Sequence, residues 1–301
     1  MSKSFTISHF TREQANSPGR INEDALFSRQ SDKSLTCAVL DGASALSSIT
    51  GIKRSKEQNG IFAAQTGREG IANLYFLEGS MRKLLVRTNR YLGIKLSSQG
   101  IQPEDHDDVT LSNAQVVVAR INKKEETLEA ALLGDVACLL RRKDGQVKLA
   151  INPDFTEEDF EALQFALDVS KLTKLSFRDV LKTNPYCKTI DEILLRGRER
   201  GNKPDKTGVG VLDGRISAKL YIRYTLIPLN DITDIALLTD GLFLPQEDPD
   251  WETMMDIMVE RGIEGLYNEV TALKNSDPEF ERFPRLKDHD DATGILISIN
   301  Q

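Results

Sequence analysis

Short apolar runs that end in an acidic residue recur along this sequence. The run LTCAVLDG ends with Asp41 and Gly42, and the run DIALLTDG ends with the same dipeptide. Apolar runs of this length, bounded by turn residues, are typical of β-strands. An acid at the tip of such a strand leaves the core where the backbone reaches solvent. Several strands of this kind in one sheet would therefore bring their acids together at one edge.

Helical patterns alternate with the strand-like runs. Apolar residues recur at helical spacing from about Ile61 to Leu96, and segments 156–200 and 249–275 also have a helical pattern. Four strand-like runs between residues 114 and 152 follow one another closely, as in an antiparallel meander. The other predicted strands are FTISHF (5–10), DALFSR (24–29), AKLYIRYTLIPL (218–229) and ATGILISIN (292–300). Because no Gly/Ser-rich or Pro-rich linker interrupts this order, we expect residues 1–301 to form a single domain of strands sandwiched by helices.

Charge and cysteine content exclude several classes of protein. The net charge of −7 argues against a nucleic acid or an anionic membrane as a partner. No apolar run approaches the length of a membrane span, and the sequence MSKSFTISHF lacks the apolar core of a signal peptide. Cys37, Cys138 and Cys187 are odd in number and have no CxxC spacing, so we expect reduced thiols in a cytoplasmic protein.

Acidic residues stand at the ends of five predicted strands. They are Glu23 and Asp24, Asp41, Asp135, Asp240, and Asp290 with Asp291. Each alone could form a turn or cap a helix. Grouped carboxylates repel one another, however, so a cluster of them is stable only if cations neutralise it. Ligands that are all oxygen, without paired His or Cys, favour Mg²⁺ or Mn²⁺ over zinc.

Five motifs carry a resemblance to a known family. They are RINEDA (20–25), AVLDGAS (38–44), ALLGD (131–135), LLTDGLF (237–243) and DHDDAT (288–293). In order and approximate spacing they resemble the metal-dependent serine/threonine protein phosphatases of the type 2C class (PPM family), in a bacterial-like form. The resemblance implies an α+β fold, a four-layer α-β-β-α sandwich of two antiparallel sheets flanked by helices. A helical insert at about 151–215 would replace the short flap of that family.

The resemblance also implies a metal site with two core ions, Mg²⁺ or Mn²⁺, and a possible third. Its expected metal residues are Glu23, Asp24, Asp41, Gly42 through its carbonyl, Asp135, Asp240 and Asp290. Asp41 would bridge the core ions, and Asp135 would help to hold the third. Asp291 would be a polar neighbour of the ligand Asp290, and Thr293 would be the first residue of the last strand.

Serine/threonine phosphatase activity on a phosphorylated protein, the target of a Ser/Thr kinase, is the function that this resemblance implies. A hydroxide bridging the two ions would attack phosphorus in line. No Cys-x5-Arg nucleophile motif is present. We assign catalytic roles to Asp41 and Asp240, and to Arg20 as the phosphate clamp. Arg20 stands three residues before Glu23, where the usual offset is four, so a surface arginine is the alternative interpretation.

The sequence departs from the family pattern in ways that keep other functions open. Ala43 stands where many eukaryotic members have a histidine proposed to protonate the leaving group, so the general acid is unidentified. Val136 and Ala137 replace the polar residues of the common Gly-Asp-Ser-Arg motif. One alternative is a catalytically silent module that binds phosphopeptides or regulates a partner. Another is a phosphatase for small phosphate esters.

The motif DHDDAT has a near copy, DHDDVT, at 105–110. The later copy leads into the last strand, where the family places a metal aspartate. The earlier copy leads into a strand that carries no invariant ligand of the family. We therefore interpret Asp107 and Asp108 as residues of a solvated loop.

Overall fold

In a computed structural model of the chain, the described residues are 4–13, 21–43, 60–77, 79–105, 111–205, 207–246 and 249–300. Within them, ten strands form two five-stranded antiparallel sheets. The first sheet has the order β1-β10-β9-β6-β7, with β1 Ser4–Arg12, β10 Ala292–Asn300, β9 Ile232–Leu238, β6 Ala137–Arg142 and β7 Val147–Ile151. The second has the order β2-β3-β4-β5-β8, with β2 Ala25–Gln30, β3 Ser34–Gly42, β4 Ala114–Asn122, β5 Thr127–Leu133 and β8 Arg223–Pro228.

The two sheets pack face to face, and strand periodicity decides which side chains fill the space between them. Successive side chains of a strand point to opposite faces of its sheet. In β3, Cys37 and Val39 join the core between the sheets, whereas Ala38 and Leu40 join the core on the outer face. The central strand β3 is therefore apolar on both faces.

Helices cover both outer faces, which confirms the predicted four-layer α-β-β-α sandwich of the α+β class. Helices α1 (Gly60–Leu74) and α2 (Met81–Ser98) pack on the second sheet. Helix α6 (Trp251–Asn275) packs on the first sheet through a cluster that includes Met254 and Met258. None of the described helices is both long and apolar enough to span a membrane.

Between β7 and β8 the chain forms three further helices with a hydrophobic cluster of their own. They are α3 (Glu157–Thr173), α4 (Phe177–Val180) and α5 (Tyr186–Glu199). Their cluster includes Ala162 and Phe177 and also takes in Phe280, from the loop that precedes β10. These helices therefore support the loop that leads into the last strand.

Three predicted elements differ in their bounds from those observed. The predicted helical stretch 61–96 is divided between α1 and α2, because Ser80 caps α2 by accepting a hydrogen bond from the Lys83 N–H. Helix α6 is interrupted at Gly262, which has a φ of 75°. The predicted strand 218–229 begins only at Arg223, because residues Ile216–Leu220 form a 3-10 helix.

The three cysteines are free thiols, as the sequence predicted. Cys37 and Cys138 are buried, and Cys187 is partly buried. Burial raises the pKa of Cys37 to about 11 and the pKa of Cys138 to about 12. Both are therefore neutral core residues at neutral pH.

Candidate metal centre

Strand register brings three of the predicted acids to one edge of the first sheet. The first residues of β6 and of β10 both lie beside the last residues of β9, because Ala137 and Gly294 each pair with Leu238. Asp135 precedes β6, Asp240 follows β9 and Asp290 precedes β10. Three acids that are distant in sequence therefore leave the sheet at the same edge.

The second sheet places its acids at its own edge in the same way. Ala25, the first residue of β2, pairs with Leu40 near the end of β3. Glu23 and Asp24 precede β2, and Asp41 is the next-to-last residue of β3. These three acids therefore lie beside one another.

Hydrogen bonds join the two acidic edges. The Glu23 backbone N–H donates to the Asp291 carboxylate at 2.7 Å. The Thr239 hydroxyl donates to Asp24 Oδ2 at 2.8 Å and accepts from the Thr293 N–H at 2.9 Å. Asp24 and Asp291 are both buried. Asp291 of the first sheet therefore fixes the backbone at Glu23 of the second sheet, and Thr239 of the first sheet fixes the carboxylate of Asp24 of the second.

Two glycines allow these segments to approach closely. A Cβ atom on Gly42 would lie 2.4 Å from the carbonyl oxygen of Glu23, and one on Gly241 would lie 1.9 Å from the carbonyl oxygen of Asp291. Both distances are far below van der Waals contact. One Asp-Gly dipeptide ends β3 and the other follows β9. Because glycine has no side chain, each dipeptide can lie directly against a neighbouring acidic segment, and its aspartate is placed there with it.

The acids of the two edges form one electrostatic cluster. Burial raises the pKa of Asp41 well above its usual range, and the charges of Asp240, Asp24, Asp290 and Asp135 raise it further. Burial followed by the charge of Asp240 raises the pKa of Asp135 to about 8. For Asp240, burial and the charge of Asp290 raise the pKa, and a hydrogen bond with Asp41 opposes them. Burial and mutual repulsion therefore both disfavour the fully ionised cluster, and a bound cation would offset that cost.

A lysine that the sequence analysis did not single out lies in this cluster. The Lys287 ammonium is 2.6 Å from Asp290 Oδ2. Burial acts to lower the pKa of Lys287, but the charges of Asp290 and Asp240 outweigh it, so the net shift is upward. Lys274, near the end of α6, has its pKa lowered by burial, although Asp240 and Asp290 act against this. The spacing of Lys287 and Asp290, three residues apart, was the available sequence signal.

The sequence analysis also missed Asp159, in the first turn of α3. Its N–H donates to the hydroxyl of Thr156, which caps the helix. The charge of Asp159 contributes to the raised pKa of Asp135. The insert between β7 and β8 therefore adds a carboxylate next to the strand-end acids.

The donor set fits a hard divalent cation. Asp135 Oδ1 is buried and makes no hydrogen bond within the described residues, which leaves a lone pair available to a metal ion. Carboxylate oxygens are the ligands that Mg²⁺ and Mn²⁺ prefer. In the part of the chain that the structure describes, no three His, Cys, Asp or Glu side chains already form a group that could hold a metal ion.

Some predicted residues cannot be placed in this cluster. Arg20, the predicted phosphate clamp, and Asp107 and Asp108, of the DHDDVT copy, lie outside the described residues. Val136 and Ala137 are fully buried. Their side chains belong to the hydrophobic cores and offer no polar contact to the cluster.

A comparison with protein-family models identifies the family of this chain. A family model described as Protein phosphatase 2C matches residues 13–274. The chain belongs to this family. The match ends before Asp290, whose place beside the other acids follows from the register of β10 and from its effect on the pKa of Asp41. No curated protein sequence matches the chain.

Solved structures of phosphatase 2C type share the fold. Stp1 from Staphylococcus aureus has a TM-score of 0.55 and 14% identity, with 100% of this chain and 97% of that chain covered. RsbX in complex with magnesium has a TM-score of 0.53 and 13% identity, covering 98% and 96%. PstP from Mycobacterium tuberculosis has a TM-score of 0.53 and 12% identity, covering 99% of each chain. At such identities the likeness concerns the fold.

Proposed function

We propose that this protein is a Mg²⁺- or Mn²⁺-dependent serine/threonine protein phosphatase that hydrolyses phosphoserine and phosphothreonine. One observation carries the proposal: the strand-end carboxylates of both sheets converge at one edge of the sandwich and raise one another's pKa. Family membership supports the same reaction class. PstP, which shares the fold, has also been solved with 2 manganese ions.

In this proposal the cluster holds two core ions, with a third possible. The ligands would be Glu23 and Asp24 (directly or through water), Asp41, the Gly42 carbonyl, Asp240 and Asp290, with Asp135 at the third ion. When bound, such ions supply a water of lowered pKa and positive charge for the phosphoryl oxygens.

The protein's own residues would orient the reaction. Asp41 and Asp240, one from each sheet, approach each other closely enough to share a hydrogen bond, so they would fix the position of the centre between the sheets. Arg20 would clamp the phosphate. As the water oxygen bonds to phosphorus, the bond to the serine or threonine oxygen breaks and that oxygen takes a proton. Because Ala43 offers none, the proton would come from water.

The insert at about 151–215 would contribute to substrate choice in a single domain spanning residues 1–301. Its helix α3 begins beside the cluster, since Asp159 acts on Asp135. Arg196 and Arg200 of the basic segment 194–200 pair with Glu161 and Glu158 of α3, each at 2.7 Å. The glutamates of α3 therefore already neutralise part of the positive charge of this segment. The proposed substrate is a cytoplasmic phosphoprotein, the target of a Ser/Thr kinase.

A catalytically silent phosphopeptide-binding or regulatory module is the second candidate. The buried apolar side chains of Val136 and Ala137 favour it, because they give the third-ion region no polar support. All the proposed core ligands are nevertheless carboxylates or a carbonyl. The two candidates therefore differ in turnover and not in metal binding.

Phosphate release from a phosphothreonine peptide tests the proposal. We expect release with Mn²⁺, none in excess EDTA, and recovery when Mn²⁺ is restored. Asp240→Asn keeps the size of the side chain and removes a charged ligand, so its rate should fall at least about a hundredfold. Persistent activity in EDTA would contradict the metal mechanism. Mn²⁺-dependent peptide binding without phosphate release would establish the silent module instead, and release from free phosphoserine alone would indicate a small-ester phosphatase.

A further inference from the structure

Lys287 makes an ion pair with a proposed metal ligand. Its Nζ atom lies 2.6 Å from Asp290 Oδ2, while Asp290 Oδ1 accepts from the Asp291 N–H at 3.1 Å. One oxygen of the Asp290 carboxylate is therefore held by the backbone, and the other is occupied by an ammonium group. A metal ion that binds Asp290 Oδ2 must share this oxygen with the ammonium group or displace it.

The loop around Lys287 is anchored on both sides. Before Lys287, the Arg285 guanidinium stacks over the Phe280 ring at 3.8 Å and pairs with Asp277 at 3.1 Å. After it, Asp291 is buried and accepts from the Glu23 N–H. The backbone at Lys287 is therefore confined between two fixed points beside the acidic edge.

The side chain of Lys287 is 52% exposed, whereas that of Asp290 is only 21% exposed. Only the ammonium group of Lys287 is enclosed by the carboxylates of the cluster. The long, flexible lysine stem can turn into solvent without opening a cavity. The carboxylate would stay in place when the ammonium leaves.

The positive charge of Lys287 acts on the whole cluster. It attracts the carboxylates of Asp135, Asp159 and Asp240 as well as that of Asp290. It therefore neutralises part of the repulsion that a metal ion would otherwise neutralise.

We propose that Lys287 is a tethered cation that occupies Asp290 in the metal-free protein and yields this carboxylate to the divalent ion. This inference rests on the proposed metal-dependent function. It predicts that Lys287 stabilises the metal-free fold and weakens metal binding, because ammonium and ion compete for one oxygen. A phosphate-binding role for Lys287 would instead leave metal affinity unchanged.

Lys287→Met tests the competition with two readouts other than activity. In calorimetric Mn²⁺ titrations, its affinity at the tightest site should rise about tenfold or more, because an opposing charge beside a carboxylate shifts its affinity for a cation by at least that factor. In EDTA, its melting temperature should fall below that of the wild type. Lys287→Gln should behave in the same way. Lys188→Met is the matched control, since Lys188 pairs with Glu192 at 3.8 Å on an exposed helix face.

The outcomes separate this inference from the proposed function. If the wild type binds Mn²⁺ and Lys287→Met binds it with the same affinity, the tethered-cation proposal is wrong and the proposed phosphatase function is unaffected. Weaker binding of inorganic phosphate by Lys287→Met, in place of a change in Mn²⁺ affinity, would lead to the same conclusion. Binding by Lys287→Met but not by the wild type would support an even stronger competition. Absence of Mn²⁺ binding in both proteins would overturn the inference and the proposed function together.

Discussion

The carboxylate of Asp291 accepts a hydrogen bond from the backbone N–H of Glu23 at 2.7 Å and so ties the two sheets together at the acidic edge. Glu23 precedes β2 of the second sheet, and Asp291 precedes β10 of the first. The next residue along the chain from Glu23, Asp24, makes the reverse connection by accepting from Thr239 after β9. The geometry of the cluster thus depends on residues that need not touch a metal ion.

Asp291→Ala should therefore weaken the proposed metal centre, although Asp291 is not one of the proposed ligands. It leaves the Glu23 N–H without its acceptor, which costs about 1–3 kcal/mol for a buried donor. We expect a lower free energy of unfolding and weaker Mn²⁺ binding, measured by urea denaturation and calorimetry. Asp291→Asn keeps an acceptor oxygen and removes the same charge, so it should recover most of both losses. Equal losses in the two variants would show that the charge of Asp291, and not its hydrogen bond, matters.

Gly241→Ala should damage the same edge through the backbone. The added Cβ would lie 1.9 Å from the Asp291 carbonyl oxygen, so the Asp240 turn and the start of β10 would have to separate. We expect a loss of about 1–3 kcal/mol in the free energy of unfolding, together with weaker Mn²⁺ binding. Gly79→Ala is the control, because a Cβ there meets nothing within 4 Å. Wild-type metal affinity in Gly241→Ala would contradict the close packing at this turn.

The pH dependence of stability should report the acidic cluster. The pKa of Asp135 is raised from 3.8 to about 8, so its contribution to stability is complete below about pH 4 and is lost as the pH rises to about 8. In EDTA, the melting temperature should therefore be lower at pH 8 than at pH 5, and Asp135→Asn should reduce that difference. Mn²⁺ binds deprotonated carboxylates, so its stabilising effect should grow over the same range. A melting temperature in EDTA that rises with pH, with no effect of Asp135→Asn, would contradict the coupling.

Strand patterns in the sequence predicted strands covered by helices and the gathering of acids at strand ends, whereas the sandwich of two antiparallel sheets followed from the family resemblance. Asp41 and Asp240 each follow a continuous apolar run and precede a glycine, and this pattern indicates the end of a buried strand. The helix bounds were less predictable. The break at Gly262 and the division between α1 and α2 depend on local backbone geometry and capping, which apolar spacing does not record.

Contacts between distant segments could not be read from the sequence. Asp291 looked like a polar neighbour of Asp290, but it reaches Glu23 across 268 positions of the chain. Lys287 was not singled out in the sequence, because its contact with Asp290 depends on the direction in which the loop before β10 points. That direction is set by Arg285 and Phe280, whose stacking belongs to tertiary structure.

Arg285 should be the strongest single support of that loop. Its side chain is 9% exposed, pairs with Asp277 and donates to the Lys274 and Asp277 carbonyl oxygens at 2.9 Å and 2.8 Å. Arg285→Met would remove the charged partner of the Asp277 carboxylate, which would keep only the backbone N–H groups of Glu281, Arg282 and Phe283, so we expect a loss of about 1.5–3 kcal/mol in the free energy of unfolding. Arg285→Lys should recover only part of this, because an ammonium group cannot reproduce the planar, branched set of donors.

Arg196 is an exposed counterpart of Arg285. Arg196 pairs with Glu161 at 2.7 Å, a shorter distance than the 3.1 Å between Arg285 and Asp277, but both side chains of the Arg196–Glu161 pair are more than half exposed. Arg196→Met should therefore change the free energy of unfolding by no more than about 1 kcal/mol. Urea denaturation in EDTA measures both variants without a contribution from bound metal. Because Arg285 also fixes the approach to Lys287 and Asp290, Arg285→Met should weaken Mn²⁺ binding as well, whereas Arg196→Met should leave it unchanged. If the two variants lost equal stability, burial would not be the property that distinguishes these ion pairs.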